Sequence, residues 1–359
     1  SNSIDIDDSK SLIVKDSLET LQKLSTFHRI KTNSTVVALT GSNGKTTTKE
    51  LIDCVLSSNF KTISTNGNYN NHIGVPLSLL QIQDDTEYSV IELGANNFGE
   101  IDFLTKITLP DYGYITNFGK AHIEGFGSEL KVVEGKSELY KYLKNNNGTI
   151  FFNLDDHKQK NLLENYNRKF SFGLNSKFCE YKLCSVNESI IINTENENIS
   201  SSLYGKYNVD NIMAAVCMGK YFKISINSIS DGISNYVPKN NRSEMIKKKS
   251  NTVLLDAYNA NPSSMYASIK NFIETNFKNK ILILGDSFTF GWLLDDENTF
   301  IYKLQYFFLI PHMITCCDYI NTTVIKIFTN FFCQTNTLGC SIFTICNNKI
   351  YFFWFDFTK

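Results

Sequence analysis

The stretch from Val36 to Glu50, V-V-A-L-T-G-S-N-G-K-T-T-T-K-E, constrains this chain more than any other. A short apolar, β-prone run stops at a turn of small residues, and apolar positions then return at helical spacing at Leu51, Ile52 and Val55. Strand, Gly-rich turn and helix in that order place backbone N–H groups and a helix N-terminus around one concavity, which suits a polyphosphate. Gly41 and Gly44 reach backbone angles that a Cβ would forbid, Lys45 supplies a mobile positive charge, and the Thr46 hydroxyl can ligate a Mg²⁺ shared with phosphates. The strict pattern G-x-x-x-x-G-K-[ST] would require Gly where Leu39 stands, so T-G-S-N-G-K-T-T is a shortened variant.

At 359 residues the chain has room for about two or three domains. Its net charge of −1 gives no global field that would favour nucleic acid or an acidic membrane surface. No leader-like pattern opens the chain and no apolar run reaches about 18 residues, so a soluble cytoplasmic protein without a membrane span is expected. Four of the nine cysteines are scattered and five fall between Cys316 and Cys346, with no C-x-x-C pair. That spacing argues against a zinc or redox motif.

Taken in order, residues 1–31 read as a linker and one amphipathic helix, with Leu18, Leu21, Leu24 and Phe27 on one stripe. From 32 to 240, β-rich runs at 36–39, 89–93, 112–116 and 149–153 alternate with helical stretches at 49–57, 128–143 and 211–221. Such alternation predicts an α/β fold with a mostly parallel sheet covered on both faces, whose ligands bind beyond the C-terminal strand ends. Residues 175–202 read as a peripheral hairpin and 237–241 as a linker. A second, partial α/β unit spans 241–300, with strands at 252–256 and 280–285 around a helix at 263–276. Residues 301–359 hold no Ala, Glu or Arg and keep neither a helical nor a strand period, so they read as an atypical tail.

Several polar residues sit at predicted strand ends. Glu92 closes V-I-E-L-G-A-N and is placed to hold Mg²⁺ beside the phosphate loop. His122 follows the strand of I-T-N-F-G-K-A-H, and Asp155 and Asp156 follow the strand at 149–153. Asn208 opens the helix of Y-G-K-Y-N-V-D-N, where its amide could read a nucleobase edge. For the last four residues, capping or structural roles and ligand contact are equally open.

The segments T-G-S-N-G-K-T-T-T-K-E, I-E-L-G-A-N, I-T-N-F-G-K-A-H-I-E-G-F-G-S, E-G-K-S-E-L-Y and D-A-Y-N-A-N-P-S-S-M, in this order, resemble the Mur ligase family over about residues 15–285. The A-H-I-E-G-F-G and Y-N-A-N-P pieces favour the branch that joins D-alanyl-D-alanine to a UDP-N-acetylmuramoyl-tripeptide. The resemblance implies an ATP-dependent, monomeric, amide-forming ligase acting through an acyl phosphate. It implies that Gly41, Ser42, Asn43, Gly44, Lys45, Thr46 and Thr47 cradle the ATP phosphates, with Thr46 and Glu92 on one of two Mg²⁺ ions. His122 and a carbamylated Lys136 would hold the second ion. Asn208 would contact adenine, Arg242 the γ-phosphate and Asp256 the ribose or the nearby backbone, while Asn70 and Asn71 would lie on the muramoyl-peptide side.

Two departures from the family pattern bear on activity. About thirty residues precede the first strand, too few for the family's N-terminal uridine-nucleotide domain, and the C-terminal domain pattern fails after Asp286. The G-D-S-F-T-F-G-W block that follows resembles the opening of an SGNH hydrolase with Ser287 as nucleophile, but the sole later histidine, His312, lacks the Asp three residues before it that this family requires. Three readings stand at this point: a ligase impaired by truncation, a serine esterase or acetyltransferase using Ser287, and a nucleotide-binding remnant without turnover. The change of character is expected to come from a junction of two coding stretches near residue 286 with an out-of-frame tail, the alternative being a divergent natural C-terminus.

Overall fold

The computed structural model describes residues 13–119, 123–186, 189–238, 244–248, 251–255, 262–275, 282–283, 341–346 and 349–354. The chain divides into two units, Ser1–Thr275 and Asn276–Lys359.

In the first unit, helix α1 (Ser17–Lys31) leads into β1 (Thr35–Thr40), the Gly-rich turn and α2 (Lys45–Ser57). There follow β2 (Thr62–Ser64), α3 (Gly74–Leu79), β3 (Tyr88–Glu92), α4 (Glu100–Thr108), β4 (Tyr112–Ile115) and α5 (Ile123–Phe126). Next come α6 (Glu129–Asn145), β5 (Thr149–Asn153), α7 (His157–Leu162), β6 (Lys169–Gly173) and β7 (Cys179–Glu180). Strands β2-β3-β1-β4-β5-β6-β7 form one seven-stranded sheet in that spatial order, and every neighbouring pair is parallel. The chain runs outward from β1 to β2, returns to β3, then crosses to β4 on the other side of β1. That reversal of strand order opens a crevice beyond the C-terminal end of β1, where the Gly-rich turn sits.

Both sheet faces are buried, as parallel sheets require. Val37 and Leu39 of β1 pack on one side with Leu51, Ile52, Val55 and Leu56 of α2, and with α8 (Val209–Tyr221) and α9 (Ile226–Ser234). Val36 and Ala38 pack on the other with apolar residues of α3, α4 and α6. Each of the four α2 side chains is fully buried, and burying such a residue stabilises by roughly 1.5–3 kcal/mol relative to leaving it exposed. This face fixes the direction in which the helix N-terminus points.

The sequence reading of α1 needs correction. Leu24 and Phe27 of the expected apolar stripe are 52% and 58% exposed, while Ser25 and Arg29 are buried. The cause is the Arg29 guanidinium, which donates to the carbonyls of Thr108 (3.2 Å) and Leu109 (3.2 Å) and to the Asp111 carboxylate (2.8 Å). Those partners turn the helix about its axis and leave part of the apolar stripe outward. The expected hairpin at 175–202 is also different: β7 extends the main sheet, and β8 (Lys182–Ser185), β9 (Ile190–Thr194) and β10 (Glu197–Ser201) form a separate antiparallel sheet. Its inward positions alternate, with Ile190 and Ile192 buried and Ile191 and Asn193 less so. Strands β11 (Glu244–Lys248) and β12 (Asn251–Leu255) then pair antiparallel, and α10 (Pro262–Glu274) follows.

The described residues of the second unit are three strands, β13 (Leu282–Ile283), β14 (Ser341–Cys346) and β15 (Lys349–Trp354), paired antiparallel in that order. The sequence reading found no sustained period beyond residue 300. Two six-residue segments rich in Ile, Phe, Thr and Tyr, separated only by Asn347 and Asn348, are nonetheless a hairpin pattern.

Candidate active site

The turn after β1 is built so that few side chains can replace those present. Gly41 has φ +147°, and a Cβ there would stand 2.0 Å from the Thr116 hydroxyl. Gly44, with φ +75°, is the N-cap of α2, and a Cβ would meet the Asn211 amide at 2.5 Å. The segment after β4 braces the turn from the side. The backbone N–H of Ser42 donates to the Asn117 carbonyl (3.1 Å) and that of Asn43 to the Asn117 side-chain oxygen (3.0 Å). The Thr116 hydroxyl (2.6 Å) and the Asn117 amide (3.0 Å) donate back to the Asn43 carbonyl, and Ser42 Oγ donates to the Gly119 carbonyl (2.9 Å).

Lys45 begins α2, and its Nζ curls back to the Gly41 carbonyl at 2.9 Å and the Ser42 carbonyl at 3.4 Å. The charge therefore lies against the turn's own backbone. Thr46, 3% exposed, donates its hydroxyl to Glu92 Oε2 at 2.9 Å. β1 and β3 are paired with Leu39 opposite Glu92, so the carboxylate emerges at the same level as the turn. Glu92 is itself 1% exposed; its Oε1 accepts from Asn70 Nδ2 at 2.7 Å, and its backbone N–H donates to Thr65 Oγ1 at 2.9 Å. Asn71 turns elsewhere, its side-chain oxygen accepting from the backbone N–H groups of Ile73 and Gly74 at the start of α3.

Lys136 projects from α6 into the same region, 1% exposed. Its Nζ donates to the Ala95 carbonyl at 2.9 Å and lies 5.2 Å from the centre of the Phe126 ring. Burial, and next the positive charge of Lys45, push its pKa down to about 7 against the opposing fields of Glu100 and Glu138. A lysine in that state is a neutral amine much of the time near neutral pH.

Asn208, 2% exposed, donates its amide to the Tyr204 carbonyl (2.7 Å) and accepts from Asn211 Nδ2 (2.8 Å). Asn211 in turn accepts from the Thr48 hydroxyl at 3.0 Å. The side chain thus ties α8 to α2. Helix α10 reaches the turn directly, because Asn43 Nδ2 donates to Ser263 Oγ at 3.2 Å. The structure therefore brings Gly41, Ser42, Asn43, Gly44, Lys45, Thr46, Asn70 and Glu92 together and sets Thr47 in the first turn of α2, 7% exposed. Sequence reasoning assigned no role to Thr65, Thr116, Asn117, Asn211 or Ser263, whose contacts join segments far apart in the chain. His122, Arg242, Asp256 and Ser287 lie outside the described residues.

Thr46 and Glu92 offer hard oxygen donors, which fits Mg²⁺, an ion that takes one or two protein ligands and completes its shell from phosphate and water. Among the described residues no group of three or more His, Cys, Asp or Glu is arranged to hold a metal ion. Lys136 as an amine is no oxygen donor, and only a carbamate on it would be one. No helix among the described residues is long and apolar enough to cross a membrane.

A parallel α/β sheet with a Gly-rich anion cradle at its switch point, a Lys-Thr pair opening the following helix and a buried carboxylate beside it define a phosphate-loop nucleotide-binding protein. The Mur ligase middle domain matches residues 39–219, and the chain belongs to the Mur ligase family. The UDP-N-acetylmuramoyl-tripeptide–D-alanyl-D-alanine ligase of Bacillus subtilis (strain 168) is 35% identical over 297 residues, covering 80% of this chain and 63% of its own length. A crystal structure of MurF from Acinetobacter baumannii superposes with a TM-score of 0.68 at 32% identity, over 74% of this chain and 60% of that one. The MurF ligase of Thermotoga maritima, solved in complex with ADP, gives 0.66 at 28% identity over 75% and 64%. The chain thus spans less than two thirds of the length of these relatives.

Proposed function

We propose that the chain carries the ATP-dependent step of a ligase that joins D-alanyl-D-alanine to a UDP-N-acetylmuramoyl-tripeptide, acting as a monomer in the cytoplasm. The observation that carries this reading is the 2.9 Å contact of Thr46 with Glu92 directly behind a phosphate-loop turn. The names of the similar ligases supply the substrate class.

In this reading the N–H groups of residues 44–47 at the start of α2 bind the β- and γ-phosphates, with Gly41, Ser42 and Asn43 shaping the turn around them, and Lys45 leaves its carbonyl partners for the transferring phosphoryl group. Thr46 and Glu92 would hold one Mg²⁺; His122 and a carbamylated Lys136 would hold a second. Magnesium there would screen charge as it develops between the phosphates. The reduced pKa of Lys136 supports the modification, since only a neutral amine adds to carbon dioxide, releasing a proton as the carbamate forms. Asn208 would serve the adenine only by giving up its bond to Tyr204 or Asn211, while Arg242 and Asp256 serve the γ-phosphate and the nucleoside, and Asn70 and Asn71 the tripeptide side. The tripeptide carboxylate attacks the γ-phosphorus, ADP leaves, and the amine of the dipeptide displaces phosphate from the acyl phosphate. Positioning supplies most of the rate, so no protein nucleophile is needed. Residues 32–240 form the central domain of this machine, and 241–300 part of its C-terminal domain.

The test is ADP formation by the chain with each acceptor alone and with both, alongside mass detection of the UDP-linked pentapeptide. ADP release that needs both acceptors, and that falls by roughly 100-fold or more in Lys45→Ala, is expected. ATP consumption indifferent to the acceptors or to Lys45 would refute the assignment.

A further inference from the structure

One buried charge near the site has no part in the chemistry above. Lys49 lies one helical turn after Lys45 and Thr46 on α2, 2% exposed. Its Nζ donates to the Thr65 carbonyl at 2.7 Å and approaches the Gly67 carbonyl at 3.5 Å, with Glu50 Oε1 at 3.6 Å. An ammonium taken out of water needs such partners, and the two carbonyls among them belong to the loop that follows β2.

That loop grips Glu92 at two places. Thr65, whose carbonyl Lys49 holds, accepts the Glu92 backbone N–H on its hydroxyl and donates its own N–H to the Val90 carbonyl at 3.0 Å. Five residues on, Asn70 donates to the Glu92 carboxylate at 2.7 Å and accepts the Gly94 N–H on its carbonyl at 2.7 Å. Residues 66–69 between these points are exposed, so little apolar packing steadies them. The ammonium beneath the loop joins α2 to the loop's near end at Thr65, one residue beyond the bond that Ser64 Oγ donates to Asp53 of α2 at 2.9 Å. Helix α2 therefore reaches Glu92 twice: directly through Thr46, and through Lys49, Thr65 and Asn70.

We infer that Lys49 is a positioning residue: it pins the 65–70 loop to the phosphate-loop helix, keeps the Asn70 amide donating to Glu92, and so sets the aim of the Glu92 carboxylate toward the ion that accompanies the nucleotide. The inference rests on the magnesium–nucleotide reading of the site. Lys49 touches neither nucleotide nor ion in this role, so its loss changes the response to Mg²⁺ rather than the grip on phosphate.

The experiment uses the full chain with Lys49→Met, which keeps length without charge, and Thr65→Val, which keeps volume without the hydroxyl acceptor. ADP affinity is measured by calorimetry in EDTA and at stepped Mg²⁺, and amide exchange is followed by mass spectrometry. The expected result for Lys49→Met is metal-free ADP affinity within about twofold of the unmodified chain, with half-saturating Mg²⁺ raised roughly 10-fold or more. Exchange speeds up across residues 65–70 and not in β1. Thr65→Val moves Mg²⁺ dependence the same way, and the double variant is within about twofold of the worse single one, because both break one chain of contacts. Unchanged exchange at 65–70 overturns the clamp, and faster exchange with unchanged Mg²⁺ dependence overturns its link to the ion. Equal loss of metal-free and metal-dependent binding marks a merely structural lysine. If Lys49→Met does not fold, Thr65→Val decides alone by the same criteria. A parent chain whose ADP binding ignores Mg²⁺ would overturn the magnesium reading itself, and that outcome is visible before any variant is made.

Discussion

Replacing Lys136 by Met should remove one pH-dependent contribution to stability, visible in the difference between the parent chain and the variant. The lysine titrates near 10.5 when solvated and is pushed down to about 7 in the fold by burial first and by Lys45 second. A base with a lowered folded pKa is less protonated than its unfolded form between the two values, so stability rises with pH through that window. Below about pH 7 both states carry the proton and the whole penalty is felt, on the order of 5 kcal/mol for a shift of this size. Between pH 6.5 and 9.0 the parent chain should gain on the order of 2–3 kcal/mol relative to Lys136→Met. The lost contact with the Ala95 carbonyl adds a constant offset, and every other titrating group cancels in the difference. Urea unfolding at several pH values, in degassed buffer free of bicarbonate and Mg²⁺, reads the quantity directly. A difference that stays constant within about 0.5 kcal/mol over this range would refute the burial argument, and with it the support for an amine ready to be carbamylated.

Two further outcomes follow from the same physics. Asp210 is pushed up to about 6 by burial first and by Asp155 and Asp156 next, so folding loses stability as pH rises from about 4 to 6. Asp210→Asn should then stabilise the chain at pH 7.5 by about 3 kcal/mol and change little at pH 3.5, as measured by urea unfolding at the two pH values. Arg29→Met removes donors from the Thr108 and Leu109 carbonyls and from Asp111, and thermal unfolding should report a loss of about 2 kcal/mol. An unchanged midpoint would mean that α1 is held by its apolar contacts instead.

What could be read from the sequence was local. The order β1, Gly-rich turn and α2 is written in consecutive residues, and the alternation of strands and helices already implied the parallel sheet that the structure contains. The rotation of α1 was not legible, because the face it buries is chosen by Arg29 through partners some eighty residues away. The same holds for Lys49, which reads as one more polar residue of a helix until the 65–67 carbonyls are seen above it. Asn208 was left between capping and ligand contact, and in the structure both ends of its amide are spent on Tyr204 and Asn211. Strands β14 and β15 are each only six residues long, too short to show a sustained period in the sequence.

The central claim is that residues 41–47 and Glu92 form one magnesium–nucleotide cradle. A crystal structure of the chain with Mg²⁺ and a non-hydrolysable ATP analogue tests it most directly. The expected result is β- and γ-phosphates within the 41–47 turn, Mg²⁺ about 2.1 Å from Thr46 Oγ1, and Glu92 bound to that ion directly or through one water. A nucleotide seated elsewhere, or an ion with Thr46 and Glu92 still bonded only to each other, would contradict it.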